Sequence, residues 1–191
     1  MAQKDVGNKI PIYKLKTTDE VMKYYDEWGI KNKYDQDMVD WNYTGPKETV
    51  ATFIKYSKDR DIKILDAGCG TGLVGIELKK YNYLNIDGMD LSKKLLDLVP
   101  NGYYQNLNQV DLNKTIKVNN DTYDAVMCVG TFTFGHVKPH ALDEFIRISK
   151  NKSLICFTIN EGIYEEYGFD KKIDELKKNK SWNVKEFFKS N

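Results

Sequence analysis

The chain has 191 residues, of which 41% are apolar, 30% charged and 13% aromatic. This is the profile of a folded globular domain and excludes a disordered, collagen-like or disulfide-stapled chain. With 29 basic and 28 acidic side chains the net charge is +1, and the only arginines are Arg60 and Arg147, a balance that argues against a nucleic-acid binder.

A chain of this length buries about 70% of the surface its unfolded form exposes, enough for one core without metals or cross-links. No run approaches the ~20 apolar residues of a membrane span, and Met1-Ala2-Gln3-Lys4-Asp5 lacks the apolar stretch of a secretion signal. Cys69, Cys128 and Cys156 fit neither a disulfide framework nor a CxxC metal site. The expectation is a cytoplasmic protein with reduced thiols and no metal.

Residues 1–60 are rich in Tyr and Trp and read as a helical N-terminal cap; residues 61–191 read as the core, within one structural domain. Thr17 with Glu20 makes a capping box, after which Val21, Tyr24, Tyr25 and Trp28 recur at helical spacing over about 18–28. A second helix follows Gly45-Pro46, with Val50, Phe53, Ile54 and Ser57 on one face. Strands are predicted over Ile62–Asp66, Leu84–Asp90, Tyr103–Asn106, Tyr123–Val129 and Ser153–Ile159, with helical patterns between most of them. The last two strands are nearly unbroken apolar runs, as expected for strands covered on both faces, and Cys128 and Cys156 within them read as core. Pro139 with Ala141, Leu142, Phe145, Ile146 and Ile148 predicts the helix between these two. Asp170–Lys178 predicts a later helix and Trp182–Phe188 a sixth strand; the lysines of 171–180 read as a solvated helix face. The alternation specifies an α/β fold, a Rossmann-like doubly wound, mostly parallel sheet with helices on both faces. Ligands in such sheets sit at the carboxyl ends of the strands.

The strongest chemical signal is Ile64-Leu65-Asp66-Ala67-Gly68-Cys69-Gly70-Thr71-Gly72, a strand end running through three alternating glycines into a helix. Glycines let backbone approach a ligand closely. A carboxylate at Asp66 suits a ligand carrying an ammonium or hydroxyls better than a pyrophosphate, which it would repel. The dinucleotide fingerprint G-x-G-x-x-G needs Gly or Ala at position 73, where Leu73 stands.

This string resembles the cofactor motif of class I S-adenosylmethionine-dependent methyltransferases. The similarity extends through Gly88-Met89-Asp90-Leu91-Ser92 and Tyr123 to Phe132, most like the Williams-Beuren-region methyltransferase-like subgroup. The resemblance implies that Asp66, Ala67, Gly68, Cys69, Gly70 and Gly72 line the cofactor. It further implies that Asp90 holds the ribose hydroxyls while Leu91 packs near the adenine, that Asp111 and Leu112 contact the adenine, and that Val129, Gly130 and Thr131 face its methionine end and the substrate. An N-terminal segment would close over the cofactor through Trp28 and Tyr34. The usual fold has a seventh strand, for which the chain leaves no segment, so two readings stay open: a piece of a longer protein, or a sheet that ends on an uncovered edge with a second copy pairing there.

The implied function is S-adenosylmethionine-dependent methyl transfer to a small-molecule acceptor by in-line displacement, yielding S-adenosylhomocysteine, with positioning as the protein's main task. His136, after the fourth strand, is the candidate base, because imidazole suits proton transfer near neutral pH. His140, one residue into a helix, is the weaker candidate. Two alternatives stay open: a non-catalytic protein that binds S-adenosylmethionine or S-adenosylhomocysteine, and a nicotinamide-dependent oxidoreductase, against which Leu73 counts.

Overall fold

The computed structural model describes residues 14, 15 and 17–189; the first five residues, read above for a leader, lie outside the described residues. Helix α1 (Thr18–Trp28) starts at the expected capping box: Thr17 Oγ1 accepts from Glu20 N at 3.2 Å, and a Glu20 carboxylate oxygen accepts from Thr17 N at 3.0 Å. A short 3-10 turn leads into α2 (Lys33–Asp40), which the sequence reading does not contain. α2 is highly charged and buries none of its residues fully; its apolar stripe is confined to Tyr34, Met38 and the following Trp41, half-buried against the aromatics of α1, too short to stand out in the sequence. Helix α3 (Gly45–Tyr56) follows with Pro46 in its first turn.

The core then alternates β1 (Ile64–Ala67), α4 (Leu73–Lys79), β2 (Ile86–Asp90), α5 (Lys93–Leu98), β3 (Asn106–Gln109), β4 (Tyr123–Phe132), α6 (Ala141–Ile148), β5 (Ser149–Ile159), α7 (Glu161–Tyr164) and α8 (Phe169–Lys178). The strands form one sheet in the order β3-β2-β1-β4-β5, and every adjacent pair is parallel. One face packs under α6 and α8 around Phe132, Phe145 and Phe169, the other under α3 and α4 around Val50, Phe53 and Leu78. Each fully buried large side chain of this kind contributes roughly 1.5–3 kcal/mol. No helix among the described residues is long and apolar enough to cross a membrane, and no group of three or more His, Cys, Asp or Glu has metal-site geometry there.

Three expectations need correction. The third strand lies at Asn106–Gln109, not Tyr103–Asn106, because Tyr104 turns its ring onto the glycine loop instead of joining the ladder. β5 is an edge strand, so Leu154 through Ile159, Cys156 among them, are half-buried, whereas Ala125 through Cys128 of β4 are fully enclosed. Trp182–Phe188 forms no strand. That segment is held by side chains: Trp182 stacks on Phe157, and Glu186 accepts from Lys55 and Tyr56. Apolar residues make a strand only where a ladder partner exists, and here Trp182 anchors an extended run whose Val184, Phe187 and Phe188 are exposed.

Candidate active site

The glycine loop folds back on the end of β2. Gly68 N and Cys69 N both donate to Met89 O, at 2.7 and 2.9 Å, and Gly70 N donates to Asp90 Oδ2 at 2.8 Å. Gly68 has φ +78°, and a Cβ there would lie 2.1 Å from Thr131 Oγ1, so only glycine fits. Gly70, at φ +54°, has only the Tyr34 hydroxyl within 4 Å of its missing Cβ, and so it leaves bare backbone facing a cavity.

Asp90 is the hinge of this floor. Its Oδ1 accepts from Ser92 N at 2.8 Å while Oδ2 takes Gly70 N, so each oxygen keeps acceptor capacity and the side chain lines the cavity. Burial raises its carboxyl above the ordinary range, opposed by the N–H groups of Ser92, Gly70 and Leu91. Ser92 caps α5 by accepting from Leu95 N at 3.2 Å, so Asp90-Leu91-Ser92 serves helix start and cavity together.

Asp66 stands behind the loop, fully buried, and does not line the cavity. Its Oδ2 accepts from the Tyr104 hydroxyl at 2.6 Å, and that hydroxyl accepts from Gly75 N at 3.0 Å. Asp66 Oδ1 is buried with no hydrogen-bond partner among the described residues. Burial, with Asp90 adding to it, pushes this carboxyl up to about 7 against the pull of the Tyr104 bond. The Tyr104 ring also lies against Gly72, Gly75 and Gly88, where an added Cβ would meet it at 3.0, 2.4 and 3.0 Å.

The remaining expected residues divide in two. Leu91, Asp111, Leu112, Tyr34 and His136 join Gly68, Gly70 and Asp90 around the cavity. Asp111 Oδ1 accepts from Asn113 N at 3.0 Å, with Lys114 at 3.3 Å from Oδ2. Cys69 and Val129 instead line a smaller cavity that shares Gly68 and Tyr34 with the first. Ala67 is enclosed in β1, and Gly72 lies under Tyr104. A Cβ on Gly130 would meet the Tyr43 hydroxyl at 2.6 Å. Trp28 sits in the aromatic cluster of the cap and donates to Asp37 Oδ2 at 2.7 Å. Burial raises the thiol of Cys69 well above its usual range, so it fills space and is no nucleophile.

The cap closes over the cavity through polar contacts. Tyr25 meets His136 Nε2 at 2.7 Å, Thr71 Oγ1 donates to Asp35 Oδ1 at 2.6 Å, and Ser92 Oγ donates to Asp26. His136 Nδ1 faces the carbonyl of Phe134 and therefore carries the ring proton, leaving Nε2 to accept from Tyr25. Burial pulls the imidazole down to about 4, so it is neutral at pH 7. His140 lies off the site and bonds Asn113 O at 3.0 Å. Thr131, implied by the resemblance with Val129 and Gly130, lines the larger cavity, whereas the sequence alone assigns Tyr25 and Tyr104 no role of their own in the site. The helical spacing of Thr18, Val21 and Tyr25, all on the cavity wall, was the available signal for Tyr25.

Residues 64–152 match the family model described as a methyltransferase domain. These residues are a methyltransferase domain. The domain is similar to human methyltransferase-like protein 27, at 32% identity over 141 residues, which span 72% of this chain and 56% of that protein. The chain thus spans little more than half the length of this curated relative. Among solved structures, the SAM-dependent methyltransferase from Thermotoga maritima aligns with TM-score 0.56 and 18% identity, over 83% of this chain and 68% of its own. The S-adenosylmethionine-dependent methyltransferase from Mesorhizobium loti aligns with TM-score 0.51 and 19% identity, over 60% and 54%. The [4+2]-cyclase SpnF aligns with TM-score 0.55 and 16% identity, over 71% and 57%. Identities this low show the shared fold, and the cyclase illustrates that this fold hosts more than one chemistry.

Proposed function

We propose that the chain binds S-adenosylmethionine in the cavity above Gly68 and Gly70 and transfers its methyl group to a small-molecule acceptor. The supporting observation is the meeting of Asp90 and Gly70: a carboxylate with free acceptor capacity and an uncovered stretch of backbone share the cavity floor. Asp90 would hold the ribose hydroxyls. Leu91 and Leu112 would flank the adenine, with Asp111 accepting from its amine. The ammonium of the methionine end would find the unpartnered oxygen of Asp66, reached past Gly68. The bound cofactor supplies an electrophilic methyl group, so the protein's work is alignment and exclusion of water. Neutral His136 would take up the acceptor's proton once Tyr25 releases Nε2.

Calorimetric titration of the purified chain with S-adenosylmethionine, S-adenosylhomocysteine and NADH tests the cofactor assignment. Binding of the first two alone supports it; no binding, or tighter binding of NADH, refutes it. A screen of small acceptors then separates an enzyme from a binding protein. We place the protein in the cytoplasm, a reading its three free cysteines favour, and infer that two copies pair through the outer edge of β5. Light scattering of the purified chain reads that pairing.

A further inference from the structure

The acidic groups around the site outnumber the basic ones. Asp90 and Asp111 line the cavity, and Lys114 offsets the second at its rim. Asp66 lies behind the glycine loop, while Asp26 and Asp35 reach in from the cap, each bonded to a neutral hydroxyl. No Lys or Arg lines either cavity among the described residues, and His136 is uncharged. The nearest other cation on the His136 side, Lys138, is exposed and lies over the Tyr167 ring. Like charges gathered in a low-dielectric site repel, and a positive ligand relieves that repulsion.

The walls point the same way. Tyr25 and Tyr34 line the cavity, are each pushed up by burial and stand 6.3 Å apart between ring centroids. Buried phenols held in the neutral form supply hydroxyls and electron-rich ring faces, both favourable to an ammonium and neither suited to balancing an anion. S-adenosylmethionine carries a sulfonium, an ammonium and a carboxylate, a net charge of +1, which offsets one of these carboxylates and leaves a negative remainder.

We propose that the acceptor is an amine, bound as its ammonium beside Tyr25, Tyr34 and Thr131, which gives up one proton to His136 Nε2 so that its nitrogen lone pair takes the methyl as the bond to sulfur breaks, and that carboxylate and phosphate acceptors are rejected. This rests on the cofactor assignment above. Binding of probes tests it without turnover. The full chain is saturated with S-adenosylhomocysteine at about pH 8, where Asp66 is ionised and an alkyl amine is still protonated. Phenethylamine, 2-phenylethanol and phenylacetate, which differ at one end only, are then titrated while tryptophan fluorescence is followed.

The expected result is phenethylamine binding at least tenfold tighter than the alcohol, with the acid weaker still. Asp35→Asn, which keeps an acceptor oxygen for Thr71 Oγ1, should shrink the amine's advantage severalfold and leave the alcohol within about twofold. Equal affinities, an acid that binds best, or no probe binding to the loaded chain would overturn the amine assignment alone. A folded chain that binds no S-adenosylhomocysteine would overturn the cofactor reading, and this one with it.

Discussion

The hydroxyl of Tyr25 donates to Nε2 of His136 at 2.7 Å, joining the first helix to the loop after β4 across 111 positions of sequence. The bond stabilises the neutral ring, because a protonated Nε2 has no lone pair to offer. Tyr25→Phe should therefore raise the His136 midpoint from about 4 by about half to one pH unit, the equivalent of one hydrogen bond. Imidazole resonances followed through a pH titration measure this, and an unmoved midpoint would dissociate Tyr25 from His136. Removing the same latch should also speed both entry and escape of S-adenosylhomocysteine in stopped-flow fluorescence.

Asp66 makes stability depend on pH in the opposite sense to most carboxylates. Its folded-state value, about 7, lies above the ordinary 3.8, so between these values the folded state holds the proton more firmly than the unfolded chain. Its contribution is favourable near pH 4 and is lost as pH rises towards about 7. His136 acts the other way: its folded value of about 4 lies below 6.5, so its contribution improves as pH rises through that window. The difference in unfolding free energy between wild type and Asp66→Asn should then shift by about 2–4 kcal/mol in favour of the variant between pH 4 and 8. Urea denaturation at several pH values gives that difference, and a constant offset would contradict the buried carboxyl.

Asp90→Ala should weaken S-adenosylmethionine binding by about 1–3 kcal/mol, the loss of a charged hydrogen-bond partner. Because Asp90 also holds Gly70 N and Ser92 N, Asp90→Asn is the sharper variant. It keeps one acceptor oxygen and should lose less. Calorimetry that finds wild-type affinity in the alanine variant would remove Asp90 from the site.

Gly68→Ala should cost about 1–3 kcal/mol of stability, since the backbone is left-handed there and the new Cβ would strike Thr131. Adding Thr131→Ala should recover part of the loss by removing Oγ1 and Cγ2, while the backbone strain remains. Thermal unfolding of the single and double variants separates the two contributions.

Much of this was legible because it repeats locally. The capping box of α1, the proline-led start of α3 and the enclosed run of β4 each follow from a few neighbouring residues, and the glycine loop names its own position in the fold. Less legible were features decided between distant segments. The apolar pattern of β5 does not say that one side lacks a neighbour, and Trp182–Phe188 is apolar enough to read as a strand though Phe157 and Lys55 hold it through Trp182 and Glu186. Asp66 illustrates the same limit within the site. Its type and position were readable, but its partner, Tyr104, is 38 positions away and turns the carboxylate inward.

That phenol also sorts the glycines of the domain into two groups. Gly68 and Gly70 are bare where the loop bends and where the cavity opens, but Gly75 is bare where the Tyr104 ring would otherwise collide. Position 75 should therefore covary with the size of residue 104 among homologues. A lineage carrying a small side chain there is free to place alanine at 75 without touching the ligand, whereas Gly72 is held by its left-handed backbone, φ +91°, and Gly88 by Leu107, 2.7 Å from a Cβ there. The motif's third glycine thus answers to the backbone, and the glycine three positions further on is the record of one aromatic ring.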